Sequence, residues 1–217
     1  LSLQPRWSAR CHGRREAAGP ARFDLFEPAR LYVSTAGGRL FRSDARGDTF
    51  RPIVQGLDFG QAASALAPIE PSPLVPGTLF TGRMQLFRST DSGDSWTGYR
   101  PPGSPEIARI AVSTVSPDRV YFAVSRGANL FKADGIGTEL LPISSDPDLS
   151  VTSIYLDPDA ENVLYVTLAN RSAQTGRVFK SYDFGLSWQD VSVPGLATPS
   201  SIVKDSFGAL YIGSSDG

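Results

Sequence analysis

Cysteine, histidine and methionine each occur once in the 217 residues. One cysteine excludes an internal disulfide and any zinc site built from several cysteines. One histidine leaves little room for His-based metal or triad chemistry. Neither sign of charge dominates: 21 Lys+Arg stand against 22 Asp+Glu, a net charge of −1. That balance lacks the basic footprint of a nucleic-acid surface, so no nucleic-acid partner is expected. No apolar run approaches the ~18 residues of a membrane-spanning helix, and no stretch keeps a helical period. No motif asks for a metal or a cofactor.

Glycine and proline are plentiful, at 21 and 17 residues, and they punctuate a chain of short apolar runs. Residues 1–22 stand apart. They carry five of the arginines, the cysteine and the histidine, and they lack the apolar segment of a signal peptide. They read as a basic linker or a disordered N-terminal segment.

From Phe23 onward the chain repeats itself. LFRSDARGDTF (40–50), LFRSTDSGDSW (86–96), LFKADGIGTEL (130–140) and VFKSYDFGLSW (178–188) align without gaps. A second marker precedes each, as LYV (31–33), LFT (79–81), VYF (120–122) and LYV (164–166), and returns a fifth time as LYI (210–212). Between them lie apolar stretches such as IARIAVSTVSPD and VTSIYLDPD, often followed by Pro and acidic residues. Each repeat reads as four short strands separated by Gly, Pro, Asp and Ser turns. Four antiparallel strands in about 45 residues is the repeat of a β-propeller blade. The expectation over residues 23–217 is an all-β propeller of four complete or near-complete blades and part of a fifth. The pattern stops partway through a repeat, as in an incomplete propeller.

Ser89-Thr90-Asp91-Ser92-Gly93-Asp94-Ser95-Trp96 and Ser181-Tyr182-Asp183-Phe184-Gly185-Leu186-Ser187-Trp188 fit S-x-D-x-G-x-[ST]-W. They resemble the Asp-box, or bacterial neuraminidase repeat, of sialidase-like propellers. That broad group includes xyloglucanases, sortilin-type receptor domains and photosystem II assembly factors. In this motif the Asp accepts backbone N–H groups of its own turn, the Gly takes φ > 0, and the Trp packs beside the sheet. Repeat one has Ala45 for Asp and Phe50 for Trp; repeat three has Gly135 and Leu140. All four keep a glycine, at 47, 93, 137 and 185. Ser89, Asp91, Gly93, Trp96, Ser181, Asp183, Gly185 and Trp188 are therefore expected to be structural.

Other motifs have plain explanations. Arg46-Gly47-Asp48 overlays the first glycine turn, and Asn170-Arg171-Ser172 is a formal glycosylation sequon. The aspartates near 91 and 157 lack a calcium-loop pattern and read as turn caps. Phe50-Arg51-Pro52-Ile53 is not the F-R-I-P segment that precedes sialidase boxes. On the expected innermost strands two residues break the apolar pattern. Arg109 stands where the other repeats have Ala65, Ser153 and Ser201, and Lys204 where they have Val112 and Leu156. Buried unpaired charge is costly, so each is expected to reach water, a carboxylate such as Asp205, or an anionic ligand. No catalytic residue can be assigned.

The resemblance implies a binding or scaffold propeller without catalysis, taking a glycan or protein partner at its channel or top face, in an extracytoplasmic setting. The alternative it implies is a glycoside hydrolase, sialidase-like or xyloglucanase-like, with catalytic residues partly outside this chain.

Overall fold

The computed structural model describes residues 10–11, 14–15, 19, 21–57, 66–100, 106–134, 138–170 and 172–214. All regular structure among them is strand. The chain divides into two compact units, residues 1–71 with 76–100, and residues 72–75 with 101–217.

In the first unit a short ladder joins β1 (Arg10–Cys11) to β2 (Arg14–Arg15). One four-stranded antiparallel sheet follows in sequence order: β3 (Arg22–Phe23), β4 (Leu31–Ser34), β5 (Leu40–Ser43) and β6 (Arg51–Pro52). A second is built likewise from β7 (Ile69–Pro71), β8 (Leu79–Gly82), β9 (Leu86–Ser89) and β10 (Thr97–Tyr99). The second unit holds β11 (Ile107–Val112), β12 (Arg119–Val124), β13 (Asn129–Asp134) and β14 (Thr138–Pro142) as one sheet. The next contains β15 (Ser150–Leu156), β16 (Leu164–Asn170), β17 (Thr175–Ser181) and β18 (Gln189–Asp190). The hairpin of β19 (Pro199–Lys204) and β20 (Leu210–Ser214) begins a fifth sheet.

The second strand of each repeat is its most apolar, and it is buried along nearly its whole length in β4, β8, β12 and β16. A strand covered on both faces loses the in-out alternation of a solvated sheet, which explains the unbroken LYV-type runs. Sheets stack through these strands. In the first unit Tyr32, Leu40 and Ile53 of one sheet meet Ile69, Leu79, Phe87 and Trp96 of the next. In the second, Tyr121, Leu130 and Leu141 pack on Val151, Leu164, Val166 and Leu168. Tyr165 and Val178 then pack on Ile202, with Ile212 beside them.

One device repeats at all five turns between first and second strands. Asp24, Ser72, Ser113, Asp157 and Asp205 each accept a backbone N–H two residues on, from Phe26, Leu74, Val115, Asp159 and Phe207. These Asx and Ser/Thr turns supply acceptors that the ladder cannot. Asp24 and Asp205 also accept the hydroxyl of the tyrosine on the following strand, Tyr32 at 3.0 Å and Tyr211 at 3.1 Å.

The two complete sheets of each unit form a matched pair. The first of each pair carries an arginine at the start of its second strand or just before it, bound to an aspartate at the end of its third or just after it. Arg30 Nε lies 2.7 Å from Asp44, and Arg119 Nη2 2.8 Å from Asp134. The second of each pair carries the full S-x-D-x-G-x-S-W sequence.

Trp96 joins its sheet to the preceding one. It is 6% exposed, and its indole N–H donates to the Ile53 carbonyl at 2.9 Å while its backbone N–H donates to the Gln55 carbonyl. Trp96→Ala is predicted to cost about 3–5 kcal/mol in urea unfolding of the first unit; a loss below about 1 kcal/mol would exclude this packing role.

Candidate functional site

The two complete S-x-D-x-G-x-S-W segments fold alike. Ser89 Oγ donates to Asp91 Oδ1 at 2.8 Å and accepts the Gly93 N–H at 2.8 Å. Asp91 then accepts the Ser95 N–H at 2.8 Å and the Ser95 hydroxyl at 2.5 Å. In the other copy Ser181 Oγ donates to Asp183 at 2.8 Å and accepts the Gly185 N–H at 2.8 Å, while Asp183 accepts the N–H and hydroxyl of Ser187 at 2.8 and 2.6 Å. The Ser95 donors hold the Asp91 carboxyl down to about 2, and those of Ser187 lower Asp183. Repeat one, with Ala45 in place of Asp, keeps only the serine half, Gly47 N–H donating to Ser43 Oγ at 2.9 Å. Gly135 and Gly137 lie outside the described residues.

The glycines take φ of 96°, 89° and 92° at 47, 93 and 185. The residue before each is left-handed as well: Arg46 at 53°, Ser92 at 60° and Phe184 at 62°. Side chains resist that conformation, and the neighbouring sheet holds two of the three in place. Arg30 Nη1 donates to Ser92 Oγ at 2.9 Å, and the Arg119 guanidinium lies 4.9 Å from the Phe184 ring centre. Trp188 packs on the apolar cluster of the preceding sheet, but its indole N–H has no hydrogen-bond partner among the described residues, unlike that of Trp96.

Arg109 lies at a bulge. Register slips between Ile107 and Arg109 in β11, between Val151 and Ser153 in β15, and between Pro199 and Ser201 in β19. Each first strand in the second unit therefore has one extra residue at the same place, and Arg109, Ser153 and Ser201 follow it in equivalent positions. Bulges re-aim side chains and are frequent beside functional sites. Arg109 Nε donates to the Thr152 carbonyl at 2.8 Å, spanning β11 and β15, and Nη1 donates to Ala108. Arg109 and Ser201 are exposed.

Lys204 has different surroundings. Its Nζ lies 2.6 and 2.7 Å from the two Asp157 oxygens and 3.0 Å from Asp159. These carboxylates raise its proton affinity. The expected neighbour Asp205 instead caps its own turn through Phe207 and Ala209. The pairing across sheets follows from the turn after β15, which puts Asp157 and Asp159 beside the end of β19.

In the first unit Arg22 Nε donates to both Glu70 oxygens at 2.8 Å, joining β3 and β7. Burial raises the Glu70 pKa despite the arginine. The remaining motifs are turns. Asp48 N–H donates to Ala45 within Arg46-Gly47-Asp48, and Asn170 Oδ1 accepts the N–H groups of Ser172 and Ala173. Ala65 and Arg171 lie outside the described residues.

No protein-family profile matches the chain, and no curated protein matches it in sequence. Solved structures do. An ancestral GH74 enzyme superposes with a TM-score of 0.73 at 18% identity over 91% of this chain. The GH74 xyloglucanase of Xanthomonas campestris gives 0.63 at 17% over 83%, and YCF48 of Cyanidioschyzon merolae 0.58 at 13% over 87%. The chain is a β-propeller in fold. At these identities the likeness shows the propeller fold alone. The chain spans 27% and 31% of the two GH74 chains and 60% of the YCF48 chain. No helix is long and apolar enough to cross a membrane among the described residues.

The sequence reading placed a cap at Asp157 but missed the other four capped turns of this propeller, the aligned bulges and the Arg22–Glu70 pair. The caps had a signal, an Asp or Ser eight residues before the aromatic residue of the second strand in four repeats. The bulges had none, because no residue type marks them here.

Asp91 also sets an acid dependence. Its folded-state pKa of about 2 lies below the ordinary 3.8, so its contribution is complete above pH 4 and lost as pH falls toward 2. Asp91→Asn is predicted to flatten the decline of the urea midpoint between pH 4 and 2; an unchanged slope would show that the carboxylate confers no net stability.

Proposed function

We propose that this chain is the repeat portion of a propeller that binds a glycan or protein partner without turnover. The row formed by Arg109, Ser153 and Ser201 carries this reading. In a propeller the first strands face the central channel, and the three bulges turn one guanidinium and two hydroxyls onto neighbouring first strands at one level. A guanidinium held through Nε and Nη1 is pre-oriented for a carboxylate or a sugar hydroxyl. Lys204 serves in this reading as a tie between sheets, since Asp157 and Asp159 hold its ammonium. The residues of the two Asp-box segments serve as turn locks. An extracytoplasmic setting fits the resemblance to exported propellers.

A glycoside hydrolase is the second reading, favoured by one observation. Glu70 lies on a first strand with its proton affinity raised by burial, the direction that a general acid requires. Its partner carboxylate would lie about 5–9.5 Å away, and Arg22 occupies its two oxygens.

Xyloglucan oligosaccharides are the first probe, chosen from the GH74 likeness. The purified chain is predicted to bind them saturably in calorimetry without releasing new reducing ends, and Arg109→Ala to weaken binding at least tenfold. Reducing ends that disappear with Glu70→Gln would replace this reading with the hydrolase. Binding unaffected by Arg109→Ala would remove the bulge row as the site.

A further inference from the structure

Each bulge leaves one residue outside the ladder: Ala108 in β11, Thr152 in β15 and Ser200 in β19. The polar groups of such a residue need other partners wherever water is kept out. Two solutions occur. Thr152 Oγ1 donates to the Thr167 carbonyl at 3.1 Å, and the Thr167 hydroxyl, 2.8 Å away, is placed to donate to it in turn. Ser200 Oγ donates to the Gly213 carbonyl at 3.2 Å. Thr167 and Gly213 stand opposite Ser153 and Ser201, so both hydroxyls reach the same place in their ladders. Ala108 has no hydroxyl, and its carbonyl accepts Arg109 Nη1 at 2.8 Å.

Arg109 joins two of these bulges. Its Nη1 holds the extra residue of its own strand, and its Nε the carbonyl of Thr152, the extra residue of the next. That carbonyl is available to the guanidinium because Thr152 lies outside the ladder. The threonine side chain fixes which residue that is. Thr152 is 9% exposed and Thr167 is fully buried. Moving the bulge one residue toward the start of β15 would put Val151, which has no hydroxyl, in this place. Two buried hydroxyls would then lose each other, at the cost of unsatisfied polar groups.

We propose that Thr152 is a positioning residue for the bulge row: its hydroxyl, closed on Thr167, keeps the extra residue of β15 at 152 and so presents the carbonyl that orients Arg109. Thr152 is buried and reaches a ligand only through that guanidinium. Its role in binding rests on the reading of the bulge row as the site; its hold on Arg109 does not.

Valine keeps the branched shape of threonine without its hydroxyl, and serine keeps the hydroxyl. In the full 217-residue chain, the Arg109 Nε–H signal in nitrogen-15 NMR is identified by its absence from Arg109→Lys. Its exchange with water is expected to be about tenfold faster in Thr152→Val than in the parent, and restored in Thr152→Ser. In calorimetry with xyloglucan oligosaccharides, Thr152→Val is expected to weaken binding about fivefold in the parent and not in the Arg109→Ala chain, since both act through one contact. A merely structural loss would weaken both alike. Circular dichroism establishes that each variant is folded. Unchanged Nε–H exchange in folded Thr152→Val, or an equal loss of binding in both backgrounds, would overturn the proposal. So would an Arg109 Nε–H that exchanges in the parent as fast as in free arginine, a result that does not depend on the folding of Thr152→Val. Exchange that responds to Thr152→Val in a parent chain that binds no oligosaccharide would support the hold on Arg109 and reject only the glycan ligand.

Discussion

A glycine turn pressed against the outer strands of the sheet before it is the contact on which each unit depends. At Gly93 a Cβ would lie 2.7 Å from the Ile53 side chain, and at Gly185 2.7 Å from that of Leu141. Both distances are shorter than side-chain carbons tolerate, so only glycine lets the turn approach. The left-handed φ at each position makes the same demand independently. Once seated, the turn brings Trp96 or Trp188 into the apolar cluster of its neighbour and fixes where the following strand begins. Loss of the turn therefore loses sheet-to-sheet burial, not merely a loop.

Charge serves the same contact. Arg22 with Glu70, Arg42 with Asp94, Arg119 with Glu161 and Lys204 with Asp157 each cross from one sheet to the next within a unit. The pairs with an exposed partner, such as Arg22–Glu70 and Arg119–Glu161, add little stability singly. Their value lies in register: each partner is reached only when one sheet sits at the correct height on the other. Apolar burial, which has no direction of its own, then acts on an arrangement that the ion pairs have selected. The alternation of Arg–Asp sheets with box-bearing sheets has the same effect, since the surface that receives Ser92 and Asp94 is polar while the one that receives Phe184 stacks an arginine on its ring.

The bulges add the proposed binding row to this frame. A regular first strand would turn residues 109, 153 and 201 by the ordinary alternation of the pleat. One extra residue in each strand resets that alternation at the same level in three neighbours and leaves the Thr152 carbonyl to the Arg109 guanidinium. The proposed binding row thus comes from backbone irregularity repeated in phase, on strands whose positions the buried second strands already fix.

Residues alone determined the strand order within a repeat, the hairpin turns and the repeat length, because these follow from local chemistry: unbroken apolar runs, glycine at left-handed φ, and Ser or Asp capping its own turn. Asp91 and Asp183 were legible for that reason, since their partners lie within four residues. Lys204 was not. Its nearest acid in sequence is Asp205, yet it pairs with Asp157 and Asp159, more than forty residues away, because the turn after β15 projects toward the end of β19. The same holds for Arg22 with Glu70, for the Trp96 indole with Ile53, and for the phase of the bulges. Those depend on how whole sheets stack, and stacking is set by long-range burial that no local pattern records.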